Sequence, residues 1–341
     1  MGDGSVDRMN RAAWLVITAV AIWALAPRAA EQTGAPASAA DSARRSPPAP
    51  EASLDPLRFV PRGTAAVLSL DLRRLRQSPL GALLTAPDRE LGGIGRLEAV
   101  CGFDPTAQIE TLVLALPRMA AGEPTDFGVV ALGSFDAVAT LGCASAVITK
   151  RGGVPLTSTL GSFTRVRART GAEGELASRP GGPALLGDGR TLHELVEVAE
   201  GSAPSLAGDR LHHALRVSVG EESALLVSVA LPADWLEQAL DSELVRESPL
   251  SRVRALALGA DVAPELTVRA VVGCDDQAAC QELGDLLEEL RERELVPWLE
   301  RELTTDLGRR VVLERADRQV RAMVTLSPSE ATALLERALS Q

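Results

Sequence analysis

Hydrophobic and polar positions divide the chain into three stretches. Residues 12–26 (AAWLVITAVAIWALA) form a chargeless, mostly apolar run, preceded by Arg8 and Arg11 and closed by Pro27 and Arg28. Residues 27–54 show neither the two-residue period of a strand nor the 3.6-residue period of a helix. From residue 56 onwards short apolar runs alternate with amphipathic ones, as expected of strands with at least one face covered by helices.

These later runs recur in pairs. Residues 64–72 (TAAVLSLDL) match 223–231 (SALLVSVAL), and aligning Ser69 with Ser228 gives an offset of 159. Residues 109–117 match 253–261 at an offset of 144, 127–136 match 267–276 at 140, and 191–199 match 330–338 at 139. The offsets fall in chain order, as two divergent copies with loop deletions in the second require. Each copy reads strand, helix, strand, strand, helix, two further strands, helix. Residues 309–316 and 319–326 read as the late strands of the second copy, joined by a hairpin at Ala316, Asp317 and Arg318. The long helix near 276–294 carries Leu283, Leu286, Leu287 and Leu290 as one stripe, and Pro297 breaks or kinks the chain beyond it. The expected fold is α+β: two similar, duplicated halves of mixed or antiparallel sheet covered by helices, over residues 56–202 and 205–341.

The first two stretches set the compartment. Residues 1–11 read as a cytoplasmic n-region and 12–26 as an uncleaved signal-anchor helix; a cleaved signal is the alternative. Residues 27–54, rich in Ala, Pro and Ser, read as a disordered tether. The expected location is the inner membrane, with the folded part facing the periplasm, or free in the periplasm if the signal is cut. The cell membrane, reached through the N-terminal helix, is the first partner.

Of 341 residues, 35 are Lys or Arg and 46 are Asp or Glu, a formal net charge of −11. The five acids and five arginines before residue 55 cancel, so this charge sits on the folded part. Phosphate contacts need clustered cations, so nucleic acid is not an expected partner.

Four cysteines, Cys101, Cys143, Cys274 and Cys280, permit disulfides in an exported chain. Cys274 and Cys280 are six residues apart at a strand-to-helix turn, and Cys101 and Cys143 flank the matching strands of the first copy. Four free thiols are the alternative. No Cys-x-x-Cys spacing or nearby His points to zinc.

Catalytic signals are sparse. Of the three histidines, His212 and His213 are helical neighbours pointing about 100° apart, poorly placed to share a metal, and read as surface or half-buried groups. His193 lies beside Glu194 and Glu197 on a helix. There is no Gly-x-Ser-x-Gly, Lys150 has no serine three residues before it, and Gly92, Gly93 and Gly95 lack dinucleotide spacing. Asp275 and Asp276 read as a helix cap and first-turn acid. No catalytic, cofactor or metal residue is assigned.

Two short motifs, Phe59-Val60-Pro61-Arg62-Gly63-Thr64 before the first strand and Cys101-Gly102-Phe103-Asp104-Pro105 before the second, carry a resemblance. The chain from 56 to 341 resembles uncharacterised exported bacterial proteins in which α+β units follow a signal or anchor. The resemblance implies no activity. The expectation is an envelope-anchored, non-enzymatic protein that binds another envelope component across the junction of its halves. An exported hydrolase with a carboxylate or isolated serine, and a spacer without ligand, are the alternatives.

Overall fold

The computed structural model describes residues 55–78, 81, 94–117, 126–170, 174–231, 248–262, 264–303 and 306–339. The signal-anchor and tether expected over 12–26 and 27–54 lie outside these residues. Among the described residues no helix is long and apolar enough to cross a membrane.

The described strands are β1 (Ala66–Asp71), β2 (Ile109–Leu116), β3 (Gly128–Gly133), β4 (Pro155–Leu160), β5 (Phe163–Ala168), β6 (Glu175–Ser178), β7 (Ala184–Gly187), β8 (Leu225–Ala230), β9 (Val253–Asp261), β10 (Leu266–Cys274), β11 (Val312–Ala316) and β12 (Gln319–Leu326). The helices are α1 (Leu72–Gln77), α2 (Ile94–Cys101), α3 (Ala137–Lys150), α4 (Gly189–Ala199), α5 (Arg210–Val219), α6 (Gln277–Leu290), α7 (Val296–Leu303) and α8 (Pro328–Leu339), with single turns at Pro56–Phe59, Pro105–Gln108 and Leu307–Arg310. All twelve strands join one antiparallel sheet in the order β11-β12-β10-β9-β8-β1-β2-β3-β7-β6-β5-β4.

Counted outwards from the centre, the two halves follow the same path. The first runs β1, β2, β3 and then the β7–β6 hairpin; the second runs β8, β9, β10 and then the β12–β11 hairpin. The offset of 159 equates Leu68 with Val227, and these two residues lie opposite each other in the β1–β8 ladder. A local two-fold axis normal to the sheet therefore passes through that pair. The first half carries two more strands, β5 and β4, than the expected plan. Four helices start where an aspartate stands ready: Asp136 caps α3, Asp188 α4, Asp209 α5 and Asp276 α6, each accepting from backbone N–H of the first turn.

The strand registers sort side chains onto two faces. On one, Val67, Val113, Val130, Leu185 and Ala177 pack under Leu192, Leu195 and Val196 of α4 and under Leu57 and Phe59 of the first turn. On the same face of the second half, Leu226, Ala255, Ala257 and Val271 pack under Leu215 and Val219 of α5. Gly259 lets that helix approach: a Cβ there would stand 2.5 Å from the Val219 carbonyl oxygen. On the opposite face, α6 covers Val229, Val253, Cys274 and Val320 through Ala279, Cys280 and Leu283. Next to it, Leu299 of α7, Leu307 and Ala331 of α8 cover Leu326, with Val268 and Val324 against them. Thus α8 occupies the chain position corresponding to α4 but packs against the other face.

Candidate functional site

The β1–β8 seam is a hydrogen-bonded ladder rather than a cleft. Above it, α5 presents His212 to the sheet. Its Nδ1 is 2.8 Å from Ser228 Oγ and its Nε2 is 3.0 Å from the Thr64 carbonyl oxygen. A carbonyl only accepts, so Nε2–H donates to Thr64 and Nδ1 accepts from the Ser228 hydroxyl. Burial pushes the imidazole pKa below its ordinary value, against the opposing charge of Asp209, and Arg216 adds to the lowering. The ring is thus a neutral pin between the second half's helix, its first strand and the residue leading into β1. Ser228 and His212 have the relation of nucleophile and base, but each is 2% exposed and the second ring nitrogen meets a carbonyl instead of a carboxylate. No substrate reaches this pair in the folded state.

His213, one residue on, is exposed and lies 3.7 Å from Glu221. The surface reading fits His213 and is corrected for His212. The spacing that carries the correction is His212, Leu215, Arg216 and Val219 at i, i+3, i+4 and i+7, all buried. His193 is exposed on the outer side of α4. Asp276 caps α6, and Asp275 pairs with Arg254 at 2.6 Å. Among the described residues no group of three metal-ligating side chains occurs.

The cysteines are joined as Cys101–Cys143 and Cys274–Cys280, with Cα separations of 4.6 and 5.6 Å. The first ties the end of α2 to α3; the second closes β10 onto the first turn of α6, inside the core.

The surface with most unassigned chemistry is the α4-side face of the second half's outer strands. Its rows across β10, β12 and β11 are Arg269–Met323–Val312 and Val271–Arg321–Glu314, with Thr267 beside Thr325. Met323 is 43% and Val312 47% exposed, and Arg321 and Glu314 are exposed as well. A depression of about 280 Å³ opens at its margin, lined by Glu265, Arg310, Val312, Met323 and Thr325. Leu211 and Val217 on α5 are also exposed. This face offers arginines, the carboxylates of Glu314 and Glu265, and apolar patches at Met323 and Val312. Sequence periodicity alone hid it, because Val312 and Met323 lie within apolar strand runs, where they resemble core positions.

The chain matches no protein-family model, no curated protein and no solved structure.

Proposed function

We propose that this is an envelope-anchored, extracytoplasmic binding protein without catalytic activity, built from two duplicated halves. Its binding surface is the uncovered face of β10, β12 and β11, and its partner element is an amphipathic helix of another envelope protein. One observation carries this reading: the equivalent face of the first half is filled by α4, whereas here Met323 and Val312 stand exposed between Arg269, Arg321 and Glu314. The first half supplies the template for what fits, a helix with Leu192, Leu195 and Val196 inward and His193 and Glu197 outward. Arginines and a glutamate around an apolar centre would fix the orientation of such a helix.

Export is supported by the charge-free run at 12–26 and by two disulfides, which persist in oxidising compartments. The duplication is supported by the shared strand order and by the Leu68–Val227 pair. The resemblance to exported bacterial proteins points the same way. A hydrolase built on Ser228 and His212 would have to open that sealed pair.

The test is photo-crosslinking in intact cells from position 323, with position 193 on the outer side of α4 as control. The binding reading expects a discrete adduct with an envelope protein from 323 alone. No adduct, or the same adducts from both positions, overturns it. Fractionation with N-terminal sequencing tests the anchor: retention of Trp14 and Trp23 in the membrane fraction supports it, and a soluble product starting after residue 26 refutes it.

A further inference from the structure

The two edges of the sheet differ. β11 carries Glu314 and Arg315, both exposed, charges of the kind that discourage strand-to-strand association. β4, the other edge, has no charge in its six residues. Five of them, Leu156-Thr157-Ser158-Thr159-Leu160, read the same in both directions. An antiparallel pairing of two such strands about Ser158 sets Ser158 against Ser158, Thr157 against Thr159, and Leu156 against Leu160. Thr–Thr and apolar cross-strand pairs of this kind stabilise an antiparallel ladder.

The flanks are complementary in charge. At the start of β4, the Arg169 backbone N–H donates to the Val154 carbonyl oxygen, so the exposed Arg169 sits beside that end of the strand. At the other end, the Glu200 carboxylate accepts from the Ser162 backbone N–H in the β4–β5 turn. Pairing about Ser158 brings the Arg169 end of each copy to the Glu200 end of the other, twice by symmetry. In strand register Arg169 belongs to the α4-side face, where Glu200 caps the end of α4. Val154, 48% exposed, is covered in the same step.

We infer that β4 is a homodimer edge: two copies of this chain join through antiparallel β4–β4 pairing centred on Ser158, with Arg169 of each facing Glu200 of the other. The occupant is a second copy because the strand is its own complement and because the chain already joins its two halves by such a pairing at Leu68 and Val227. The operation is isologous and closes at two copies. The dimer continues one sheet, with its two uncovered β10–β12–β11 faces related by the two-fold axis. A single short strand buries less area than a standard interface, so the association is weak and concentration-dependent.

The experiment uses the full chain in detergent micelles, with a cysteine scanned along β4. All four native cysteines are in disulfides, so each variant adds one free thiol. Directly opposed residues have Cα atoms about 4.5–5.5 Å apart, inside the disulfide range. Oxidation with diamide is expected to give a covalent dimer from Ser158→Cys. Thr157→Cys, about 8 Å from its copy in this register, is expected to give little, since bridging fails beyond about 7 Å. Thr159→Lys adds a charge on the exposed side of the edge and is expected to weaken association at least tenfold, read by sedimentation equilibrium. Arg169→Glu is expected to weaken it several-fold. A monomer at all concentrations, an equal yield from both cysteine variants, or a dimer untouched by Thr159→Lys overturns the proposal; a persistent monomer would leave the edge to a foreign strand.

Discussion

In the first half of the sheet, the face under α4 is closed; Leu192 and Leu195 lie over Val130, Leu185 and Ala177, and none of these reaches solvent. In the second half the same face, reached by the same strand order, is open at Met323, Val312 and Arg321. The strand residues account for the difference. Val113, Val130 and Leu185 form one apolar row in the first half. The corresponding row of the second half is Ala257, Val271 and Arg321, with Arg269 in the row beside it, and a guanidinium resists burial under a helix. On the opposite face Val268, Val324 and Leu326 demand cover, and α8 supplies it. A repeated architecture can thus keep its ladder while one face turns from core into surface.

Several substitutions would break that contrast. Replacing Cys101 and Cys143 by serine releases a 42-residue separation in the first half and should cost about 4 kcal/mol, against about 2 kcal/mol for Cys274 and Cys280, six residues apart. Denaturant titration of both variants reads the ratio; equal losses would show that loop length does not set it. Leu195→Ala, on the buried side of α4, should cost about 3 kcal/mol, while Met323→Ala on the open face should stay within about 0.5 kcal/mol. A large loss at Met323 would mean that the face is not a surface.

At the seam, Ser228→Ala leaves His212 Nδ1 buried without a donor and should cost about 2 kcal/mol. The pH dependence has a definite sign. Burial lowers the folded pKa of His212, so below about pH 6.5 the unfolded chain takes up a proton that the folded chain refuses. Stability contributed by this group is intact above that pH and falls as pH drops towards the folded pKa, by at most about 1.4 kcal/mol per pH unit. Unfolding curves between pH 7.5 and 5 on the wild type and His212→Gln would test this, the variant being expected to flatten the slope.

Much of the frame was legible from residues alone. The apolar runs at 64–72, 109–117, 223–231 and 253–261 became β1, β2, β8 and β9, because an alternation of small and branched apolar residues has few other uses. The hairpin between β11 and β12 formed where expected, with Asp317 at a φ of 50°. The pair β4 and β5 escaped, since a Thr- and Ser-rich edge has no buried stripe to announce it. The packing of α8 escaped as well, because its apolar positions specify that one side is buried, not which face of the sheet receives it. The open face was hidden for the opposite reason: single exposed apolar residues within strands resemble core residues until register assigns their neighbours.

The central position of β1 also has a consequence in time. Its partner residue across the seam, Val227, follows Leu68 by 159 positions. At roughly 5–20 residues per second, synthesis delivers that partner about 8–30 s after β1 itself. Throughout that interval the edge of Ala66–Asp71 that β8 will occupy stays unpaired, and from the synthesis of Ala199 onwards the rest of the first half is already made around it. The second half therefore acts as the first half's own delayed chaperone, and truncation before β8 should produce aggregates rather than a smaller folded protein.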